Sequence, residues 1–282
     1  METIVGLGEA GCNIAEQFAK YPQYKVLRID SSHRKGKGFK LLPERQSHEE
    51  YEAHCPSLKA FFRNIQGETL FVVGGSGKIS GACLRILEQI KGPVSVLYVQ
   101  PDKDLLSRQA ALRERVTFFV LQEYARSGLL QRFYAVSNVY LEEAIGGLSL
   151  LNFYEQLNEL LVSTIHMTNV FKNTQPLIHT FSSAHDAARL STFGIANADD
   201  STEKMFFPFE MPREKMYYYA INKEFLESEK GLHRKIVSQL KDRQEEEGLM
   251  EVSYGIYPTD YPDNYVYTIH NSSLIQGLHL MP

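Results

Sequence analysis

The stretch "FVVGGSGKISGACLRILEQIK", residues 71–91, reads as an apolar strand, a glycine-rich turn and an amphipathic helix. A strand that feeds a glycine loop and then a helix start is the outline of an anion site. Glycines let the backbone approach a phosphate closely, and the helix N-terminus offers free N–H groups and the positive end of its dipole. The turn is not a P-loop, because Lys78 is followed by Ile79 and the G-x-x-x-x-G-K-[ST] spacing fails. Lys78 reads equally as a phosphate contact or as a solvent-facing lysine on a tight turn.

The same alternation continues on both sides. Upstream, "TIVGLG" (3–8) is a strand, 9–21 a helix and "YKVLRID" (24–30) a strand; a polar stretch without regular period covers 31–54, and a helix follows at 56–66. Downstream, strands at 93–101 and 132–139 flank a long helix at 108–128 that Gly128 closes. Such units predict a mostly parallel sheet with helices on both faces. Ligands bind such sheets at the carboxyl ends of the strands, where the loops 6–11 and 74–81 and Asn138 all fall.

From Leu150 to about Lys172 one helix is apolar on more than one face, the pattern of an element buried between layers, and Pro176 stops it. The remainder reads as a smaller α+β domain, with strands around the charged helix at 231–248. The tyrosines at 217–219 read as strand and core.

At 282 residues the chain has room for two domains. A formal net charge of −4 argues against a general nucleic-acid or anionic-membrane binder, since no basic excess is available to meet phosphates. The one basic run, "HRKGKGFK" (33–40), reads as a solvated loop. Cys12, Cys55 and Cys83 make neither a disulfide framework nor a zinc pattern. There is no signal peptide and no apolar run of about 20 residues, so the chain is expected to be cytoplasmic.

"GLGEAGCN" (6–13) has G-x-G-x-x-G spacing after the first strand, and Asp30 sits about 20 residues on, where an acid would hold an NAD ribose. A second glycine loop and the central helix stand against a dinucleotide reading. The order of the pieces instead resembles the tubulin and FtsZ superfamily of GTPases. "GLGEAGCNIAEQF" is similar to that family's first nucleotide loop, which places Gly8, Gly11, Cys12 and Asn13 at the nucleotide. "LFVVGGSGKISGA" resembles the signature loop GGGTG[ST]G: Gly75, Gly77, Ser80 and Gly81 match, while Ser76, Lys78 and Ile79 depart. "FYAVSN" resembles the strand whose last asparagine reads guanine, which assigns Asn138, and the helix register assigns Asn158 to the second base-reading position. Arg108 is the candidate on the ribose and phosphate side, beside Asp104, though the family spacing is off by one. Asp30 is the expected metal-side acid, with Mg²⁺ as the metal.

The resemblance implies a Rossmann-like nucleotide-binding domain at 1–149, a buried central helix at 150–173 and an α+β activation-like domain at 174–282. It implies GTP or GDP as ligand and the chain itself as partner, in a longitudinal oligomer or filament. Two features depart from the family. The motif that supplies its hydrolytic carboxylates falls on Phe181, so the acids become Thr180 and Ser183, whose hydroxyls cannot take a proton as carboxylates do; Asp186 is the nearest substitute. The loop expected to wrap the γ-phosphate is not glycine-rich but "LLPERQSHEEYEAHC" (41–55), with four glutamates. His179, His185 and Asp186 offer a rival reading, as metal ligands or as a base beside Ser182 or Ser183. The expected function is a GTP-binding cytoskeletal protein assembling head to tail, with hydrolysis weak or lost. The alternative is a non-polymerising structural or adaptor protein whose nucleotide site is vestigial.

Overall fold

The computed structural model describes residues 2–34, 36–182, 187–198, 202–247 and 250–277, and of 242–247 the backbone alone. The chain divides into two compact units, Met1–Val162 and Ser163–Pro282.

The first unit begins with β1 (Glu2–Leu7), α1 (Gly8–Gln17), β2 (Tyr24–Asp30), β3 (Phe39–Leu41), α2 (His48–Ala53) and α3 (Lys59–Phe62). It continues through β4 (Thr69–Val73), a 3-10 turn (Lys78–Ala82), α4 (Cys83–Leu87), β5 (Val94–Gln100), α5 (Arg108–Arg126), β6 (Arg132–Ser137) and α6 (Asn138–Ile145). The six strands pair in the order β3-β2-β1-β4-β5-β6, every neighbour parallel. Helices on both faces of a parallel sheet bury its strands completely, so the strands read as apolar runs rather than alternating patterns. Ile4, Val5, Phe71, Val72, Val73, Val96, Leu97 and Val136 are accordingly inaccessible.

The helix expected at 56–66 is only Lys59–Phe62, and the one after the second loop only Cys83–Leu87, entered through the 3-10 turn. The polar stretch at 31–54 contains β3 and α2, and the strand expected at 132–139 stops at Ser137, where α6 begins. α7 (Phe153–Lys172) runs through the boundary of the units. It buries Leu157, Leu161 and Val162 before that boundary, and Thr164, Ile165, Thr168 and Phe171 after it.

The second unit adds β7 (Ile178–His179), β8 (Leu190–Ala196), β9 (Glu203–Met205), β10 (Glu214–Asn222), α8 (Lys223–Ser228), α9 (Leu232–Glu247), β11 (Glu251–Thr259) and β12 (Tyr265–Ser272). Its strands run β8-β12-β10-β11-β7, with β9 on β8; only β10 and β11 pair in parallel. Tyr217, Tyr219 and Ile221 of β10 pack with Ile236 and Leu240 of α9, which makes the tyrosine cluster core. Among the described residues no helix is long and apolar enough to cross a membrane.

Candidate functional site

The strand order of the first unit reverses direction between β1 and β4. Crossovers on either side of such a point lead away from each other and leave a crevice at the strands' carboxyl ends. Both glycine loops are there. β1 passes into α1 without an intervening loop: Leu7 is still extended, and Gly8 enters the helix at φ +71°. A β-carbon on Gly11 would lie 2.4 Å from the carbonyl oxygen of Val72, so its absence lets α1 lie directly on β4.

The second loop is tied from inside. The buried Ser80 hydroxyl sits 2.9 Å from the Gly75 carbonyl oxygen, 2.7 Å from that of Gly77 and 3.4 Å from Thr117 Oγ1. Its side chain closes the turn and is not free for a ligand. Arg113 Nε donates to the Ser76 carbonyl at 3.0 Å. Beneath Gly75 lies the Tyr98 phenol, 3.0 Å from the Glu114 carbonyl oxygen and 3.2 Å from its carboxylate, which also accepts from Gln100 Nε2 at 2.9 Å. Burial, reinforced by the Glu114 charge, holds that phenol well above its ordinary pKa, so it stays a neutral donor. Gly81 is packed on the backbone of His48 in α2. Gly77 and Lys78 are exposed, and Lys78 has no hydrogen-bond or ionic partner among the described residues. Ile79 reaches across to the first loop, its Cγ2 only 2.9 Å from where a β-carbon on Gly8 would be.

Cys12 is fully buried; its thiol points at the carbonyls of Gly6 (3.5 Å) and Ile29 (3.4 Å). Burial first, and Asp30 second, push its pKa up to about 12, which leaves an inert thiol facing the sheet. Asn13 is exposed and accepts at Oδ1 from Arg34 Nη1 at 2.7 Å. Arg34 also donates from Nε to Asp30 Oδ2 at 3.1 Å and from Nη2 to the Glu9 carbonyl at 3.4 Å. The other Asp30 oxygen accepts from Ser31 N–H at 2.8 Å. Both oxygens of the expected metal ligand are therefore engaged, one by a cation. Among the described residues no group of three His, Cys, Asp or Glu side chains could hold a metal ion.

Asn138 opens α6 at the end of β6, and Asn158 lies in the first half of α7. Both are half-buried, and neither side chain hydrogen-bonds to a described residue. A turn away from Asn158, the Glu155 carbonyl accepts from Gln17 Nε2 of α1 at 3.3 Å; Gln17 Oε1 is buried and has no partner. Lys20 and Glu159 pair at 3.7 Å along the same contact. Among the described residues, hydrogen-bonding capacity is thus left at Gln17 Oε1 on α1 and at the amides of Asn138 on α6 and Asn158 on α7. Arg108 is exposed at the start of α5, without a partner among the described residues.

The segment after α7 forms the edge of the second unit's sheet. Leu177 N–H donates to the Ile256 carbonyl and Thr180 N–H to that of Tyr254, each at 2.8 Å. Thr180 Oγ1 accepts in return from Tyr254 N–H at 3.1 Å, and Ser182 Oγ donates to Glu251 Oε1 at 2.6 Å. The Phe181 ring lies 5.1 Å from that of Tyr218. Ser183, His185 and Asp186 lie outside the described residues. Arg34 and Arg113, which bond the Glu9 and Ser76 carbonyls of the two loops, are not expected there from sequence; Arg34 belongs to a basic run that reads as solvated.

No protein-family model matches the chain, and no curated protein matches it by sequence. Its architecture does have counterparts. TubZ of Bacillus thuringiensis serovar israelensis, in GDP-form protofilaments, superposes with a TM-score of 0.72 at 16% identity, over 96% of this chain and 87% of that one. CetZ1 from Haloferax volcanii, a GDP-bound monomer, gives 0.68 at 17% identity over 99% and 96%. FtsZ of M. jannaschii, an empty dimer, gives 0.68 at 12% over 96% and 88%. The chain has the tubulin/FtsZ superfamily fold, a mixed α/β structure with a large, mostly parallel sheet.

Proposed function

We propose that the chain is a guanine-nucleotide-binding cytoskeletal protein of the cytoplasm that assembles head to tail, with GTP hydrolysis weak or lost. The observation that carries this reading is the pair of half-buried amides, Asn138 and Asn158, without a partner among the described residues, in the unit whose strand-order reversal places two glycine loops together. Half-buried amides with no partner among the described residues keep both a donor and an acceptor for a base edge. Self-assembly is supported by the relatives in fold, of which TubZ and CetZ2 are described as protofilaments. It is further supported by Leu150 and Leu151, in the 3-10 turn before α7, and Tyr154 in its first turn, 91%, 93% and 60% exposed, an apolar surface of the kind that partners cover. Weak hydrolysis follows from Thr180, whose hydroxyl is spent on the β11 backbone.

The test is equilibrium binding of GTP, with ATP and NAD as competitors. Asn138→Ala or Asn158→Ala is expected to weaken GTP by about 1–3 kcal/mol and ATP far less. Unchanged GTP affinity in both variants would remove the base assignment. One observation favours the alternative of a non-polymerising protein with a vestigial site: Ile79 lies between the loops where the signature has a small or hydroxylated residue. Absence of any nucleotide binding would select it.

A further inference from the structure

We infer that the nucleotide site works without a metal ligand from the chain, and that the Arg34 guanidinium supplies the positive charge a divalent cation would bring. This rests on the guanine-nucleotide reading above. Asp30, 4% exposed at the end of β2, is the acid expected on the metal side. Mg²⁺ demands near-octahedral oxygen ligands and reaches proteins through one or two carboxylates that have lone pairs to give. Each Asp30 oxygen already accepts one hydrogen bond, from Ser31 N–H at 2.8 Å and from the Arg34 Nε cation at 3.1 Å, so a metal at its remaining lone pairs would share the carboxylate with a guanidinium. A dication beside that guanidinium would meet like charge, and among the described residues no group of three His, Cys, Asp or Glu side chains gathers to hold one.

The arginine is held at the first glycine loop. Its Nη1 donates to Asn13 Oδ1 at 2.7 Å and its Nη2 to the Glu9 carbonyl at 3.4 Å, which fixes it against the first turns of α1. Three of its five N–H groups are thereby spent on the protein, and the side chain is 20% exposed. The remaining two, in a rigid planar fork, suit phosphate oxygens. The loop behind it is anchored by Arg28, whose N–H bonds the Gly38 carbonyl at 2.7 Å and whose Nη2 bonds that of Lys37 at 3.3 Å.

The experiment is GTP binding by calorimetry to the wild-type chain in Mg²⁺ and in EDTA, then to Arg34→Gln and Asp30→Asn in EDTA. The wild type is expected to bind within about threefold in the two buffers. Arg34→Gln is expected to lose about 10- to 100-fold, the scale of a lost charge-assisted contact. Asp30→Asn is expected to hold or tighten binding, because the guanidinium is no longer neutralised. Wild-type binding that needs Mg²⁺, or is lost in Asp30→Asn, would overturn the inference and leave the guanine reading standing. No GTP binding in either buffer would overturn both.

Discussion

Gly75 has no side chain because there is no room for one. A β-carbon there would lie 2.0 Å from the Tyr98 hydroxyl and 3.1 Å from Glu114 Cα, both buried and joined to each other. Relief would require the phenol to leave Glu114 or the β4 loop to lift off β5. Gly75→Ala is therefore expected to destabilise the fold by about 1–3 kcal/mol, as overpacking does. At Gly77, φ is −74° and the nearest atom to a built β-carbon is Ile79 Cγ2 at 3.9 Å. Gly77→Ala should change stability by less than about 0.5 kcal/mol. Urea unfolding of the two variants checks the pair; equal stabilities would mean that Tyr98 does not brace the loop. The contrast separates two meanings of one motif: Gly75 belongs to the scaffold, and Gly77, exposed on the turn, is free to meet a ligand.

At the scale of elements, α2 replaces the expected glycine-rich wrap. Ser47 Oγ caps it by accepting from Glu50 N–H at 3.1 Å, while Glu50 Oε2 reaches back to Gln46 N–H at 3.0 Å. His48 then packs on Gly81, with Nε2 3.5 Å from Thr117 Oγ1. Burial lowers the pKa of His48 from its ordinary value of about 6.5; Arg113 adds to the effect, and Glu49 and Glu52 partly oppose it. The unfolded chain therefore binds this proton more readily than the folded one. The contribution of His48 to stability thus falls as pH drops below about 6.5, where the unfolded histidine charges first. Thermal melts between pH 7.5 and 5.5 are expected to show a shallower slope for His48→Gln than for the wild type, and parallel slopes would exclude the role. α2 was not legible in sequence, since six residues carry too little periodicity to register. β7 takes strand form only from pairing with β11, a non-local cause. By contrast β2 was read at its observed bounds, and β4 and β5 nearly so, because strands buried on both faces announce themselves as apolar runs. The glycine loops were legible for the same local reason. Arg34 was not, because a basic loop looks solvated until its contacts are known.

For the whole molecule the question is whether assembly would be coupled to turnover. A head-to-tail contact is heterologous, so it propagates as a filament unless its rotation closes a ring. In the family the chain resembles, coupling comes from acids that one subunit presents to the next subunit's nucleotide. Here the corresponding stretch is stitched to a sheet edge: Thr180 gives its N–H and its hydroxyl oxygen to Tyr254, and Phe181 packs beside Tyr218. Loss of a general base costs about 10²- to 10⁴-fold in rate, and a hydroxyl does not replace it. GTP-dependent sedimentation with phosphate release near background is the expected outcome, giving polymers that persist once formed. Thr180→Asp alone should leave release at background, because the new carboxylate would still face the Tyr254 N–H. Release that rises with sedimentation in the wild type would sink this account and point to an acid elsewhere, with Asp186 the first to replace by asparagine.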